Sequence, residues 1–182
     1  MENKKQAYDV LFDLAQRGRL HAVSLPTADG RKPSWSGIGF SVRGHFFVTA
    51  MSEIAEVLTL PKVTKIPGVE PWVLGLSNAR GRLVPVVDLS VFLYGERPVT
   101  LSLKKKKLFL VGRGAYLTAI VIDQILGMKH FHLDDFNHRI SKGISEGARS
   151  FVLGSFEGET EEWPVFSLVS LFKSERFLAV AV

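Results

Sequence analysis

Residues 66–89 read IPGVEPWVLGLSNARGRLVPVVDL, and this stretch decides the fold class. Pro67-Gly68 marks a turn and Pro71 adds a second constraint, after which Trp72-Val73-Leu74-Gly75-Leu76 is an apolar run of strand length. Leu83-Val84-Pro85-Val86-Val87 is a second β-rich run. Its proline can donate no ladder hydrogen bond, so the spacing predicts an edge or bulged strand rather than one at a sheet centre. Between the runs, Asn78-Ala79-Arg80-Gly81-Arg82 holds an arginine on a turn that two buried strands fix in space. Taken alone, that arginine reads as a brace for a neighbouring carboxylate sooner than as a recognition element.

The rhythm of turns and short apolar runs continues outward. Gly37–Val42 and His45–Thr49 flank Arg43-Gly44, Leu108–Gly112 and Tyr116–Ile122 flank Arg113-Gly114, and Phe151–Phe156 and Trp163–Phe166 flank an acidic, glycine-containing loop. Three hairpins at this spacing predict small antiparallel barrels and not a parallel sheet. Two segments depart from the rhythm. Ser52–Leu58 places Ile54, Val57 and Leu58 at helical offsets behind a capping serine, which predicts a short helical turn before a strand, and Ser167–Phe172 reads the same way. The apolar end, Phe177–Val182, is expected to dock as a strand or in a groove. At the other end, Tyr8, Leu11, Phe12 and Ala15 form an apolar stripe over Lys4–Arg17, stopped by Gly18 and followed by a polar linker through Ser34. The expected organisation is an N-terminal helix and linker over residues 1–34 and one domain over 35–182.

On Asn78, Arg80, Gly81, Val84, Pro85, Val86, Val87, Asp88 and Leu89, in that order, the chain resembles the CheW-like family, the adaptors of bacterial chemosensory arrays. Ala79 stands where the family commonly has leucine. The resemblance spans Trp35 to about Lys173, and the segments Trp35–Phe40 and Phe177–Val182 look like the PilI-type subgroup, which serves type IV pilus twitching motility. It implies a mainly β fold of two five-stranded SH3-like barrels and a non-enzymatic adaptor. The implied partners are the cytoplasmic tip of a methyl-accepting chemotaxis receptor and the regulatory domain of a CheA-type histidine kinase. It also matches Glu56 to a glutamate of the family's receptor-contacting strand region and Arg80 to an arginine near its receptor-binding and kinase-coupling surfaces. With their apolar neighbours these give an expected receptor groove of Ile54, Glu56, Val57 and Arg80, joined by Ile125 and Met128 on a later strand.

Composition narrows the other classes. The chain has 182 residues with 46% hydrophobic content, enough for a core, and no cysteine, so disulfides, thiolate metal sites and cysteine nucleophiles are excluded. No apolar run reaches membrane-spanning length and the N-terminus lacks a signal-peptide pattern, so a cytoplasmic protein is expected, recruited to membrane-associated arrays without inserting. The net charge of +5 and the run Lys104–Lys107 raise the alternative of a small basic barrel binding single-stranded nucleic acid. The run reads better as a solvated lead-in to an apolar strand. Gly143-Ile144-Ser145-Glu146-Gly147 fits a nucleophile-elbow pattern, but a polar approach replaces the buried strand an elbow needs. His130, His132, Asp134, Asp135 and His138 lie close in sequence, yet they read as a polar edge strand running into a loop, with Phe131 and Leu133 facing the core, in preference to a metal site. No cofactor motif survives.

Overall fold

In a computed structural model the described residues are 34–95, 106–113, 116–140, 143–158 and 161–181. The expected N-terminal helix, the expected linker up to Pro33, and Lys104 and Lys105 lie outside them, while Ser34 belongs to the first strand. The described part opens with β1 (Ser34–Val42) and β2 (His45–Ala50), joined by Arg43 (φ 50°) and Gly44 (φ 78°), a pair of left-handed residues that matches the twist of a two-residue hairpin. A 3-10 turn, Met51–Glu53, then leads to β3 (Ile54–Thr59), β4 (Val73–Ala79), β5 (Arg82–Asp88), helix α1 (Leu89–Tyr94), β6 (Lys107–Arg113) and β7 (Tyr116–Ile122). The rest is β8 (Gln124–His132), a 3-10 turn Leu133–Asp135, β9 (Phe136–Asn137), α2 (Glu146–Arg149), β10 (Val152–Glu157), β11 (Glu162–Phe166), α3 (Leu168–Lys173) and α4 (Glu175–Leu178).

These strands form two sheets, ordered β8-β1-β2-β11-β10-β9 and β3-β6-β7-β5-β4. The second sheet is inserted into the first, entered through residues 51–53 and left through Asp123 alone. Alternation explains the layout. Leu108 and Leu110 of β6 join Val84 and Val86 of β5 and Ala119 and Val121 of β7 in one cluster, completed by Leu58 from β3 and Leu74 from β4. All five strands thus face one interior. The circuit closes where Thr64, beyond β3, exchanges both backbone hydrogen bonds with Leu76 of β4, at 2.8 Å each. The six-stranded sheet likewise gathers Trp35, Val48, Leu126, Phe131, Phe136, Phe156 and Trp163 from its six strands. Its sixth strand is the two-residue β9, one more than the five of the resemblance. The alternate residues Phe40, Phe109, Val111, Ile120 and Ile122 pack with Phe92, Phe166, Leu168 and Leu171 in a third cluster between the barrels. Strands such as β6 and β7 are therefore apolar on both faces.

The structure corrects four expectations and refines a fifth. The helical turn at Ser52–Leu58 shrinks to Met51–Glu53, with no side-chain cap, and Ile54–Thr59 is a strand paired with β6. The four-residue spacing of Ile54 and Leu58 fits a strand as well as a helix, because four is also a multiple of two. Pro85 sits in β5, which lies inside the sheet between β7 and β4. Its partner Leu76 gives both backbone bonds to Thr64, so Pro85 stands at a non-hydrogen-bonded pair, and the parallel ladder to β7 starts only at Val86. Lys106 is 3% exposed and not solvated. Leu133 is 46% exposed on a turn and does not face the core. The terminal segment docks as expected, but its first part does so as helix α4, which buries Phe177, before Ala181 bridges to Val69. Ser167, by contrast, does cap α3, accepting from the Ser170 N–H at 3.1 Å.

Candidate partner-binding cleft

The β4–β5 turn is built as its residues require. Asn78 Oδ1 accepts the Gly81 N–H at 2.8 Å, and Arg80 and Gly81 take φ of 54° and 78°, so a non-glycine residue is held in the left-handed region. That conformation aims Arg80 at β3, where Arg80 Nη2 lies 2.5 Å from Glu56 Oε1. The pair ties the turn beyond β4 to β3, the opposite end of the strand order, and so clasps the barrel across its seam. Arg80's side chain is 73% exposed but Glu56's only 23%, so the arginine reaches over a half-buried carboxylate.

Along the same strand, Ile54 lines a cleft of about 830 Å³ with Val111, Leu168, Val169 and Phe172, and Glu53 and Lys173 stand at its polar edge. Phe172 is also a wall of a second, more apolar cleft of about 540 Å³, lined by Pro85, Val87, Leu117, Phe177 and Leu178 among others. Together they put an apolar surface on the outside of the five-stranded barrel, against the C-terminal helices, with Val169 48% and Leu178 62% exposed. Glu53 is fixed by its surroundings. One oxygen accepts the Leu168 N–H at 2.6 Å and the Thr49 hydroxyl at 3.2 Å, and the other accepts the Ser167 hydroxyl at 3.4 Å.

Of the six expected groove residues, the structure brings Glu56 and Arg80 into contact and sets Ile54 in the cleft wall. Val57 is exposed and, by alternation, faces away from Glu56. Ile125 packs on the inter-barrel core and Met128 is 56% exposed on β8, in the other barrel. Neither of them lines the two clefts. Sequence reading passed over Val169 and Phe172. Their signal was there: Leu168 and Leu171 already supply the buried stripe of α3, so Val169 and Phe172 are surplus apolar residues on a six-residue helix.

The other constellations have local explanations. Among the described residues Ser145 precedes a four-residue helix and is led into by a turn at Gly143-Ile144, and Gly147 is required because a Cβ there would lie 2.0 Å from the Leu93 carbonyl oxygen. His130 Nδ1 meets the Ser36 hydroxyl at 2.8 Å, and His138 stands edge-on to Phe136. Tyr94, stacked on His45 and facing Arg43, has its hydroxyl pKa raised above the ordinary 10.0 by burial, against the opposing pull of the Ser145 hydroxyl and the Arg43 charge. With Lys106 inside the protein, the basic cluster that suggested nucleic-acid binding loses a member, and the Trp35, Phe131 and Phe156 rings pack on one another instead of offering stacking faces. Among the described residues, no helix is long and apolar enough to cross a membrane.

Comparison with known proteins gives consistent findings. Residues 36–176 match the CheW-like domain. The chain is 37% identical to Protein PilI of Pseudomonas aeruginosa over 182 residues, the whole of both chains. It is 28% identical over 131 residues to Protein FrzA of Myxococcus xanthus, covering 70% of this chain and 79% of that one. A stretch of 52 residues is 36% identical to Chemotaxis protein CheW of Bacillus subtilis, 29% of this chain and 33% of that one. Among solved structures, scaffolding protein TtCheW from Thermoanaerobacter tengcongensis shares the fold, with a TM-score of 0.65 at 17% identity over 79% of this chain and 96% of that one.

Proposed function

The chain belongs to the CheW-like family of chemosensory scaffolds, and from that premise we propose that it couples a methyl-accepting receptor to a CheA-type histidine kinase without catalysing a reaction. The full-length likeness to Protein PilI supports a pilus-linked, twitching-motility pathway over a swimming one, in the cytoplasm at membrane-associated arrays.

The observation that carries the reading is the apolar cleft beside the Glu56–Arg80 clasp. Exposed Val169 and half-buried Ile54 and Phe172 offer one face of an amphipathic helix a place to bury its apolar stripe, and Glu53 and Lys173 offer its polar edge charges of both signs. Such a surface grips a helical hairpin by shape and apolar contact, with a polar rim to set orientation. Holding receptor and kinase together raises their effective concentration for one another. A receptor state that binds the adaptor differently then biases the kinase by that difference in affinity.

The test is co-precipitation of the purified chain with a receptor-tip fragment and with a kinase regulatory-domain fragment, each assayed separately. Val169→Asp puts a charge into the cleft without touching the core, so it is expected to abolish receptor capture while kinase capture and the melting temperature hold. Receptor capture unaffected by Val169→Asp would place the receptor surface elsewhere. Capture of neither fragment by the unmodified chain would overturn the adaptor reading.

A further inference from the structure

Among the described residues the chain passes between the two barrels at two crossings, residues 51–53 between β2 and β3 and Asp123 between β7 and β8. Each crossing carries a carboxylate that accepts a backbone N–H of the six-stranded unit. At the first, Glu53 takes the Leu168 N–H at 2.6 Å, at the start of α3. At the second, Asp123 takes the Arg43 N–H at 2.6 Å, while its own N–H donates to the Ser41 carbonyl at 3.0 Å. Asp123 is also held from the other barrel. Lys106 Nζ stands 3.2 Å from Asp123 Oδ1, an ion contact without hydrogen-bond alignment, and 3.4 Å from the Asp88 carboxylate. Asp88 in turn caps α1 through the Ser90 N–H at 3.0 Å.

A buried lysine between two aspartates is costly to desolvate and stabilises only in one geometry. Apolar packing between the barrels is non-directional and tolerates small rotations. The two kinds of contact therefore do different jobs, and the second crossing has the features of a fixed pivot. The first crossing does not. Glu53 is half-buried, and it stands in the wall of the cleft beside Ile54 and Val169, where an entering side chain can compete for its oxygens.

We propose that the angle between the barrels is set by these two carboxylate pins, with Asp123 the permanent pivot and Glu53 a latch that an occupant of the cleft releases. The release, unlike the pins, rests on the cleft being the receptor site. By this device the five-stranded barrel and the cleft can pass a bound state to the six-stranded barrel through the hydrogen bonds that Glu53 makes at a crossing.

Because the chain has no cysteine, two nitroxide labels can be placed without background, one at Thr59→Cys and one at Leu153→Cys, both exposed and one on each barrel. Pulsed dipolar spectroscopy then reads the inter-barrel distance in the full-length chain. The free protein is expected to give one narrow distance peak, and Glu53→Ala to shift or broaden it. Asp123→Asn, which keeps an oxygen for the Arg43 N–H but removes the charge facing Lys106, is expected to broaden it as well, with Glu53→Gln restoring the narrow peak to the first crossing. Folding of each variant is checked by circular dichroism, so that a changed distance is read only from a folded chain. A narrow, unmoved peak in Glu53→Ala and Asp123→Asn overturns the pins, since packing alone would then set the angle.

Addition of a receptor-tip helical hairpin peptide, with binding followed by fluorescence anisotropy, is expected to move the unmodified chain's distances toward those of Glu53→Ala. Binding without that movement overturns the latch. Absence of binding overturns the receptor reading and the release with it, while the free-protein variants continue to support or refute the pins.

Discussion

Arg80 shows how much one residue's backbone can decide. A left-handed non-glycine residue costs of order 1–3 kcal/mol, and here it is held by the Asn78 contact to Gly81 and by the ion pair with Glu56. Arg80→Gly is therefore expected to leave the melting temperature nearly unchanged: losing the ion pair costs roughly 0.2–1 kcal/mol and glycine's added backbone freedom roughly 0.5–1 kcal/mol, which together offset the strain removed. Arg80→Asp and Glu56→Lys each set like charges together at the seam, and both are expected to weaken assembly of receptor, adaptor and kinase more than they weaken the fold. Normal assembly by all three variants would move the binding surface away from the clasp. Unfolding of Arg80→Gly would show the side chain to be an indispensable brace. Tyr94 gives a prediction of a different kind. Burial raises its folded pKa above the unfolded 10.0, so the folded chain holds that proton more tightly. Its contribution to stability is complete below pH 10 and is lost as the pH rises through the folded value. Thermal melts across that alkaline range are expected to show a shallower decline for Tyr94→Phe than for the unmodified chain, and an equal decline would remove Tyr94 from the account.

At the level of elements, the barrels depend on points where one strand passes too close to another for any side chain. Gly75 has φ 134°, and a Cβ on it would sit 2.0 Å from the Thr64 carbonyl oxygen, at the contact that closes the five-stranded barrel. Gly75→Ala must therefore open the seam or distort β4. The expected loss is several kcal/mol, about that of a buried strained position, read as a large drop in urea midpoint. A drop no greater than that of Gly44→Ala, where nothing lies within 4 Å and only the φ of 78° is strained, would mean the seam adapts. The hairpins themselves were legible because Arg43-Gly44 and Arg80-Gly81 supply positive φ between apolar runs. The strand β3 was harder to read, since its apolar spacing satisfies both periods. Its identity is settled by pairing with β6, a partner remote in sequence.

For the whole molecule, the largest apolar cluster belongs to neither barrel interior but to the space between them, drawing Phe40 and Phe47 from one and Phe109 and Ile120 from the other. The domain is accordingly expected to unfold in one transition by fluorescence and circular dichroism alike. Phe109→Ala should lower its stability by about 3–5 kcal/mol without splitting it in two, whereas separate transitions for the barrels would show the shared core to be weak. Local sequence by itself determined the class of the fold, the hairpin turns, the helix cap at Ser167 and the motif around Asn78–Leu89 that marks the family, because these depend on alternation, turn chemistry and neighbours a few residues apart. It could not reveal that Lys106 is buried between Asp88 and Asp123, that Pro85 is tolerated inside a sheet, that Val169 and Phe172 face a cleft, or that Glu53 pins a crossing. Each of these arises from residues far apart in the chain meeting once the barrels pack, and burial, pairing and charge compensation are properties of that meeting and not of any segment.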